Sequence, residues 1–378
     1  MRDVIQIDPD GKAKRKQGDY LNERLKDLGF TEKRLQEAAA SSIFMPGRII
    51  ACDKNRYRVA TADRDLQAEV SGRFRHQALD GSDYPAVGDF VLLDNVGDNH
   101  GVAIIQQVMG RSGLFERKAA GTQNETQVLA ANVDLAFICM ALNSDYNLRR
   151  LERYLSLVWA GSAIPVVVLT KADLCLDLPD RLAEVKAAAP GVDVLVTSGL
   201  TEDGFKPIVN YLESGKTYVF LGSSGVGKST LINRLLGSEQ IKTRGIRKDG
   251  KGKHTTTRRQ LILIPGGGAV IDTPGMRELG LESADLAQVF SDIEELALRC
   301  KFKDCAHLSE PGCAILQAVE EGVLDSKRLA NYRKLLKEAK YLGLNAKQLE
   351  REKINEMFSG FGSLKQARNY IKHKHKNR

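Results

Sequence analysis

The hydrophobic rhythm of the chain changes three times. Between Arg48 and Val108 short apolar runs alternate with turn-forming clusters. The runs are RIIACD, RYRVATA, LQAEVSG, DFVLLDNV and GVAIIQQV, and DKN, ADRD and VGDNHG lie among them. Runs rich in β-branched residues and bounded by such turns predict strands. Five short strands fit a small barrel of the oligonucleotide-binding (OB) kind, although other small β-barrels and sandwiches share the pattern.

From about Asn132 the texture becomes that of a covered sheet. VDLAFICMAL, PVVVLT, VDVLVTS and KTYVFLG are nearly continuous apolar runs. Between them lie a helical stretch from Leu148 to Ala160, a second through Arg181 to Ala189 and a helical turn after Gly204, and the helix STLINRLLG follows the last run. Strands alternating with helices predict a parallel sheet with both faces covered. LILI and AVIDTPG add two strands. Beyond Ser283 the chain reads as helical, with charged helices from Asp325 to about Phe358. Some helical character also shows from Tyr20 to Ala40. The expected division is a basic polar leader (1–40), an OB-like β-barrel (41–115), an α/β domain (116–282), a small helical domain (283–358) and a basic tail (359–378).

The junction of KTYVFLG with its helix carries the clearest chemistry. GSSGVGKST comprises Gly222, Ser223, Ser224, Gly225, Val226, Gly227, Lys228, Ser229 and Thr230 and fits the phosphate-loop pattern G-x-x-x-x-G-K-[ST]. Its glycines let backbone N–H groups curl around phosphate oxygens, and the helix N-terminus adds its dipole. Lys228 is placed to bridge the β- and γ-phosphates, and Ser229 to bind Mg2+. Downstream, Asp272 ends the strand AVID and suits water-mediated Mg2+ binding. Gly275, three residues on, offers its N–H to the γ-phosphate. Between them KDGKGKHTTTRR supplies a hydroxyl for Mg2+ from Thr255, Thr256 or Thr257, with Thr256 taken as the working choice. A γ-phosphate-sensing loop of this kind is expected to be mobile without triphosphate.

The base reader is TKAD: Thr170, Lys171, Ala172 and Asp173 at the end of VVVLT. The Asp173 carboxylate can accept from the N1–H and 2-amino group of guanine, and Lys171 can pack over the ring. Thr170 stands where the commoner motif has Asn. Ser198 and Gly199, at the end of the next strand, suit a contact to the guanine carbonyl. This reader precedes the phosphate loop, the reverse of the usual order. An open α/β sheet collects its site from loops at the carboxyl ends of several strands, so chain order is free if the strands keep their places. The pattern therefore predicts a circularly permuted P-loop GTPase. It also leads D-T-P-G straight into the C-terminal module, which suggests that γ-phosphate sensing is coupled to that module. Met276 follows Gly275 where many GTPases hold a glutamine that orients water. Slow intrinsic hydrolysis is expected, with His254 or a partner placing the water; His254 also reads as a surface or RNA-facing residue.

A second constellation lies in RCKFKDCAHLSEPGC. Cys300, Cys305, His307 and Cys313 give C-x4-C-x-H-x5-C. Three thiolates and an imidazole match a closed structural Zn2+ site, one ion per chain, with no open position for catalysis. Cys52, Cys139 and Cys175 are scattered, and Cys139 reads as a buried thiol.

Charge points to the partner. The 378 residues carry a net charge of +8, with a pI near 9.0. The excess gathers at KAKRK (Lys12–Lys16), in Ile241–Arg259, and from Lys365 to Arg378, where six Lys or Arg occur without an acid. Such clusters suggest an anionic partner, nucleic acid first, or else solvated tails that aid solubility. No apolar run approaches the roughly 20 residues of a membrane span, and the N-terminus lacks the apolar core of a signal peptide. A cytoplasmic monomer with no membrane partner is expected.

TKAD, GSSGVGKST, GKHTTT, DTPG and C-x4-C-x-H-x5-C, in that order and preceded by QVLAANVD, resemble the RsgA family, the ribosome small-subunit-dependent, circularly permuted GTPases. The resemblance covers about residues 40–340. It implies an N-terminal OB barrel, a permuted GTPase core and a C-terminal zinc domain. It also implies hydrolysis of GTP to GDP, stimulated by the small (30S) ribosomal subunit, late in subunit maturation, with that subunit and its 16S rRNA as the partner. A hydrophobic residue at Met276 is similar to that family. Two other readings stay open: an RNA-docking factor whose nucleotide is structural, and an ATPase or small-molecule kinase in which Asp173 is idle.

Overall fold

A computed structural model describes residues 6–7, 13–14, 23–40, 44–53, 56–94, 101–118, 126–198, 202–237, 259–272 and 286–340. The described chain folds as two compact units, residues 1–116 with 128–279, and residues 117–127 with 280–378.

The first unit begins with a two-residue strand pair, β1 (Gln6–Ile7) and β2 (Ala13–Lys14). Two short helices follow, α1 (Glu23–Asp27) and α2 (Glu32–Ala39). Thr31 caps α2 by accepting the Arg34 N–H at 3.3 Å. The apolar residues of this pair, Leu25, Leu28, Phe30, Leu35 and Ala38, are all buried.

Next come β3 (Met45–Asp53), β4 (Arg56–Ala60), β5 (Asp65–Val70), the helix α3 (Gly72–Gln77), β6 (Phe90–Leu93) and β7 (Ala103–Val108). Their order is β3-β4-β5-β7-β6, and β6 pairs back onto β3. The sheet is thus a closed five-stranded barrel with one parallel pair, β5–β7. Closure excludes the sandwich alternative and gives the OB-like topology. Ile49, Val59, Val91, Leu93, Ala103 and Ile105 fill the interior.

After the two-stranded pair β8 (Leu114–Lys118) and β9 (Thr126–Ala131), the α/β layer is built in sequence. It comprises β10 (Leu135–Ala141), α4 (Leu148–Ala160), β11 (Ile164–Thr170), α5 (Leu178–Ala188), β12 (Asp193–Val196), α6 (Lys206–Val209), β13 (Thr217–Leu221), α7 (Lys228–Leu236), β14 (Arg259–Leu263) and β15 (Ala269–Asp272). The strand order is β12-β11-β10-β13-β15-β14. All neighbours run parallel except β14, which is antiparallel to β15. Helix α4 has the bounds expected from its pattern. Asn147 caps it by accepting the Arg150 N–H at 3.0 Å, and Leu151, Tyr154, Leu155 and Val158 make its buried stripe. Phe137, Val166, Val168, Tyr218 and Phe220 pack with Leu231, Ile232 and Leu235 of α7. Each such side chain contributes about 1.5–3 kcal/mol by leaving water.

Barrel and α/β layer share one eleven-stranded sheet, because β14 pairs antiparallel with β3 through Arg259–Cys52 and Gln260–Ala51. Arg48 lies at this seam and is fully buried. Its guanidinium donates to the carbonyls of Leu28 (2.6 Å) and Gly88 (3.2 Å) and to Thr217 Oγ1 (2.7 Å). It thereby ties the leader helices, the barrel and the foot of β13 together. Phe90 lies under both Arg48 and Arg34, at 4.5 and 4.0 Å. Burial lowers Arg48 to about 9.

The second unit holds α8 (Leu286–Val289), α9 (Ser291–Ala297), α10 (Ala314–Glu320) and α11 (Ser326–Lys340). Phe290, Ile293, Ile315, Leu329, Tyr332 and Leu335 form its small core. Arg328 makes a two-pronged pair with Asp292 at 2.9 and 2.8 Å.

Candidate functional site: a phosphate loop, a guanine reader and a metal knuckle

Strand β13 delivers the chain to the phosphate loop at the centre of the sheet. Gly222 has a φ of 137°, and a Cβ there would meet the Cys139 carbonyl oxygen of β10 at 2.4 Å. Only glycine fits this crossing. Gly225 and Gly227 also have positive φ, 76° and 105°. Val226 anchors the loop in the core at 1% exposure, while Ser224 and Gly225 face solvent. Ser229 and Thr230 sit in the first turn of α7. The Lys228 ammonium donates to the carbonyls of Gly222 (2.7 Å) and Ser223 (2.6 Å). The loop is thus already curled around its lysine.

The TKAD segment reaches this loop from β11. Thr170 Oγ1 donates to the Val226 carbonyl at 2.7 Å and is buried. The threonine thereby fastens β11 to the phosphate loop. Lys171 takes a left-handed conformation, φ 58° and ψ 40°, a strain of about 1–3 kcal/mol that is characteristic of functional loops. Ala172 begins a short 3-10 turn whose N–H donates to the Thr197 carbonyl at 3.2 Å. Asp173 is exposed and accepts from Ser198 Oγ at 2.7 Å. The sheet therefore brings TKAD and Ser198 to the same edge as the phosphate loop.

Asp272 ends β15, next to β13 in the sheet. Burial raises its carboxyl pKa, and the charge of Lys228 opposes the rise. Gly199, His254, Thr255, Thr256, Thr257, Gly275 and Met276 lie outside the described residues. One residue that no motif singled out also reaches the loop. Asp145, in the turn after β10, accepts from the Ser223 hydroxyl and from Arg150 at 2.7 Å. The signal for it was weak: turn-forming residues at the carboxyl end of a parallel strand, where such sheets build their sites.

In the second unit, the ligand atoms of Cys300, Cys305, His307 and Cys313 all lie within 4.8 Å of one another. His307 Nδ1 is 3.5 Å from Cys300 Sγ and 3.6 Å from Cys313 Sγ, and those sulfurs are 3.9 Å apart. Tetrahedral Zn–S bonds of about 2.3 Å place sulfurs about 3.8 Å apart. The four donors therefore suit Zn2+ in kind, and Cys300, His307 and Cys313 also in separation, with the Cys305 sulfur within 4.8 Å of each. Glu310 organises the knuckle by accepting the N–H groups of Ala306, Leu308 and Ser309 at 2.8–3.0 Å. These backbone bonds lower its carboxyl to about 2. Burial raises the Cys300 thiol, but N–H groups of Ala314 and Ile315 at the start of α10, with the neighbouring thiols, lower it overall. His307 itself is left-handed, φ 57°, and its carbonyl accepts from Arg333 of α11.

A P-loop sheet in which the strand carrying TKAD precedes the phosphate loop has the strand order of a circularly permuted GTPase. The sequence model of the RsgA GTPase family matches residues 108–282. The chain is 48% identical over 323 residues to the small ribosomal subunit biogenesis GTPase RsgA 2 of Lactiplantibacillus plantarum, covering 85% of this chain and 91% of that protein. It is 41% identical over 334 residues to the small ribosomal subunit biogenesis GTPase RsgA of Methanosarcina acetivorans, covering 86% and 89%. Among solved structures, YjeQ from Thermotoga maritima superposes with a TM-score of 0.58 at 28% identity, over 80% of this chain and 100% of that one. YloQ, described as a circularly permuted GTPase, gives 0.55 at 28% identity, over 79% and 95%. The chain belongs to the RsgA family and is a GTPase.

Proposed function

We propose that this GTPase is a nucleotide-timed switch on the small ribosomal subunit, hydrolysing GTP to GDP late in subunit maturation when the subunit stimulates it. The observation that carries the nucleotide reading is the bond from Thr170 to the Val226 carbonyl. It joins a guanine reader to a phosphate loop that Lys228 already closes. In this reading Asp173 and Lys171 select guanine, with Ser198 orienting Asp173. Gly222 to Thr230 cradle the phosphates. Lys228 bridges the β- and γ-phosphates and, with Gly275, completes the catalytic set, while Ser229, Asp272 and Thr256 serve Mg2+. His254 or a group of the subunit places the attacking water. The ribosomal assignment draws on the names of the relatives and on the basic clusters of this chain, which suit 16S rRNA.

The working division is a barrel (41–115) that docks on RNA, a GTPase core (116–282) and a zinc-stapled helical module (283–358), acting as a cytoplasmic monomer. Mg2+ supplies charge neutralisation on the phosphates, and Zn2+ supplies fold stability. The test is sedimentation of the protein with purified small subunits in the presence of a non-hydrolysable GTP analogue, GDP or ATP. Retention with the GTP analogue alone supports the switch. Equal retention in all three conditions supports an RNA-docking factor instead.

A further inference from the structure

The turn between β10 and α4 belongs to no recognised motif, yet it aims a carboxylate at the phosphate loop. Its own geometry is fixed. Asn143 Oδ1 accepts the Asp145 N–H at 3.0 Å, and the Asn143 carbonyl accepts the Tyr146 N–H at 2.9 Å. Asp145 Oδ1 then takes the Arg150 guanidinium at 2.7 Å, from the first turn of α4. Its other oxygen takes the Ser223 hydroxyl.

Ser223 is the residue through which this arrangement reaches the phosphates. Its side chain donates to Asp145, and its carbonyl accepts from the Lys228 ammonium at 2.6 Å. It stands between Gly222 and Gly225, both at positive φ, in a stretch that glycine leaves free to turn. A rotation of the Ser223 peptide would take away one of the two carbonyls that hold Lys228. Val226 is fastened separately, by Thr170. Thr170 and Asp145 thus both anchor the loop from outside, at Val226 and at Ser223, and Asp145 supplies the anchor nearer the lysine's carbonyl cradle.

We propose that Asp145 is a positioning residue for GTP hydrolysis, acting through Ser223 to hold the phosphate loop in the form that seats Lys228. It touches neither phosphate nor base. Its contribution is the fraction of protein molecules whose loop is ready for nucleotide. Apparent affinity scales with that fraction. Bound phosphate re-forms the loop, so turnover at saturation depends less on it. This rests on the nucleotide site proposed above.

The experiment measures dissociation constants for fluorescent GDP and GTP analogues, together with KM, kcat and melting temperature. The proteins are wild type, Asp145→Ala, Ser223→Ala, Ser223→Thr, the Asp145→Ala/Ser223→Ala double variant and Lys228→Ala. Loss of a hydrogen bond to a charged group predicts about tenfold weaker binding of both nucleotides in each single alanine variant. In Asp145→Ala, KM should rise by a similar factor while kcat stays within about twofold. The double variant should be no weaker than the weaker single variant, and Ser223→Thr, which keeps the hydroxyl, should recover most of the affinity that Ser223→Ala loses.

Additive effects in the double variant overturn the proposal. So does unchanged affinity in the single variants when Lys228→Ala has lost it. If Lys228→Ala binds like wild type, the nucleotide-site reading itself fails. A merely structural role would lower the melting temperature and leave affinity untouched. If Asp145→Ala does not fold, the Ser223→Ala and Ser223→Thr pair decides the matter, since Ser223 lies in a half-exposed loop.

Discussion

The phosphate loop and the metal knuckle are two ligand sites built on opposite plans. The loop rests on a sheet whose central residues, Phe137, Val168, Val219 and Leu221, are essentially out of water. Its lysine, its threonine anchor and its Gly222 crossing are all held by contacts within the sheet and the loop. The knuckle has almost no core of its own. Leu308 is 64% and Phe302 42% exposed within it, and three thiols converge where burial offers little in return. The comparison shows where each site draws its order from. The first takes it from hydrophobic burial shared with the whole sheet. The second takes it from the ion it would bind.

Removing metal should break the comparison most sharply. Binding of structural Zn2+ to such sites contributes about 10–16 kcal/mol at neutral pH. Cys305→Ser, or a strong chelator, should abolish hydrogen-exchange protection in α9, α10 and α11. Nucleotide affinity should stay within about twofold. Loss of both together would show that the nucleotide site does not stand on its own sheet.

Arg48→Met tests the other side. It leaves the Leu28 carbonyl without its buried donor, at about 1–3 kcal/mol, and removes the bonds to Thr217 and to the Gly88 carbonyl, which keeps the Asn132 amide at 3.2 Å. Urea unfolding of the first unit should shift by about 3 kcal/mol, with no change in bound zinc. A neutral result would mean that the seam between leader helices, barrel and β13 is held by apolar contacts alone.

These two predictions also mark how far the sequence could be read. The five barrel strands, the bounds of α4, the order of TKAD, GSSGVGKST and Asp272, and the Cys/His set were legible because each is written locally, as a period, a turn or a fixed spacing. Arg48 was not, because an arginine reads as surface and its partners lie 20, 40 and 169 positions away. The leader pattern showed helices but not that Leu25, Leu28 and Phe30 are buried against the body. The β14–β3 pairing that fuses barrel and α/β layer joins Arg259 to Cys52, and no local signal records a partner so distant. Asp145 was hidden for the same reason, since its meaning lies in Ser223, 78 positions on.

Thr170→Val is a finer probe. It keeps the shape but leaves the Val226 carbonyl without its donor, costing about 1–3 kcal/mol. GTP and GDP affinity, measured by fluorescence titration, should fall about tenfold while the melting of the second unit is unchanged. Glu310→Ala is the counterpart in the knuckle and the smallest expected effect. Groups that orient metal ligands typically alter affinity by about tenfold or more. Zinc transfer to a competing chelator should be faster by about that factor, with GTP affinity untouched. Equal sensitivity of the two sites to both variants would erase the distinction between them.

The most direct test of the central claim is GTP turnover with and without purified small ribosomal subunits, using Lys228→Ala as the blank. The account predicts strong stimulation by the subunit that disappears in Lys228→Ala. Turnover that ignores the subunit, while the protein still binds it, would contradict the account and make the nucleotide a structural element of an RNA-docking factor.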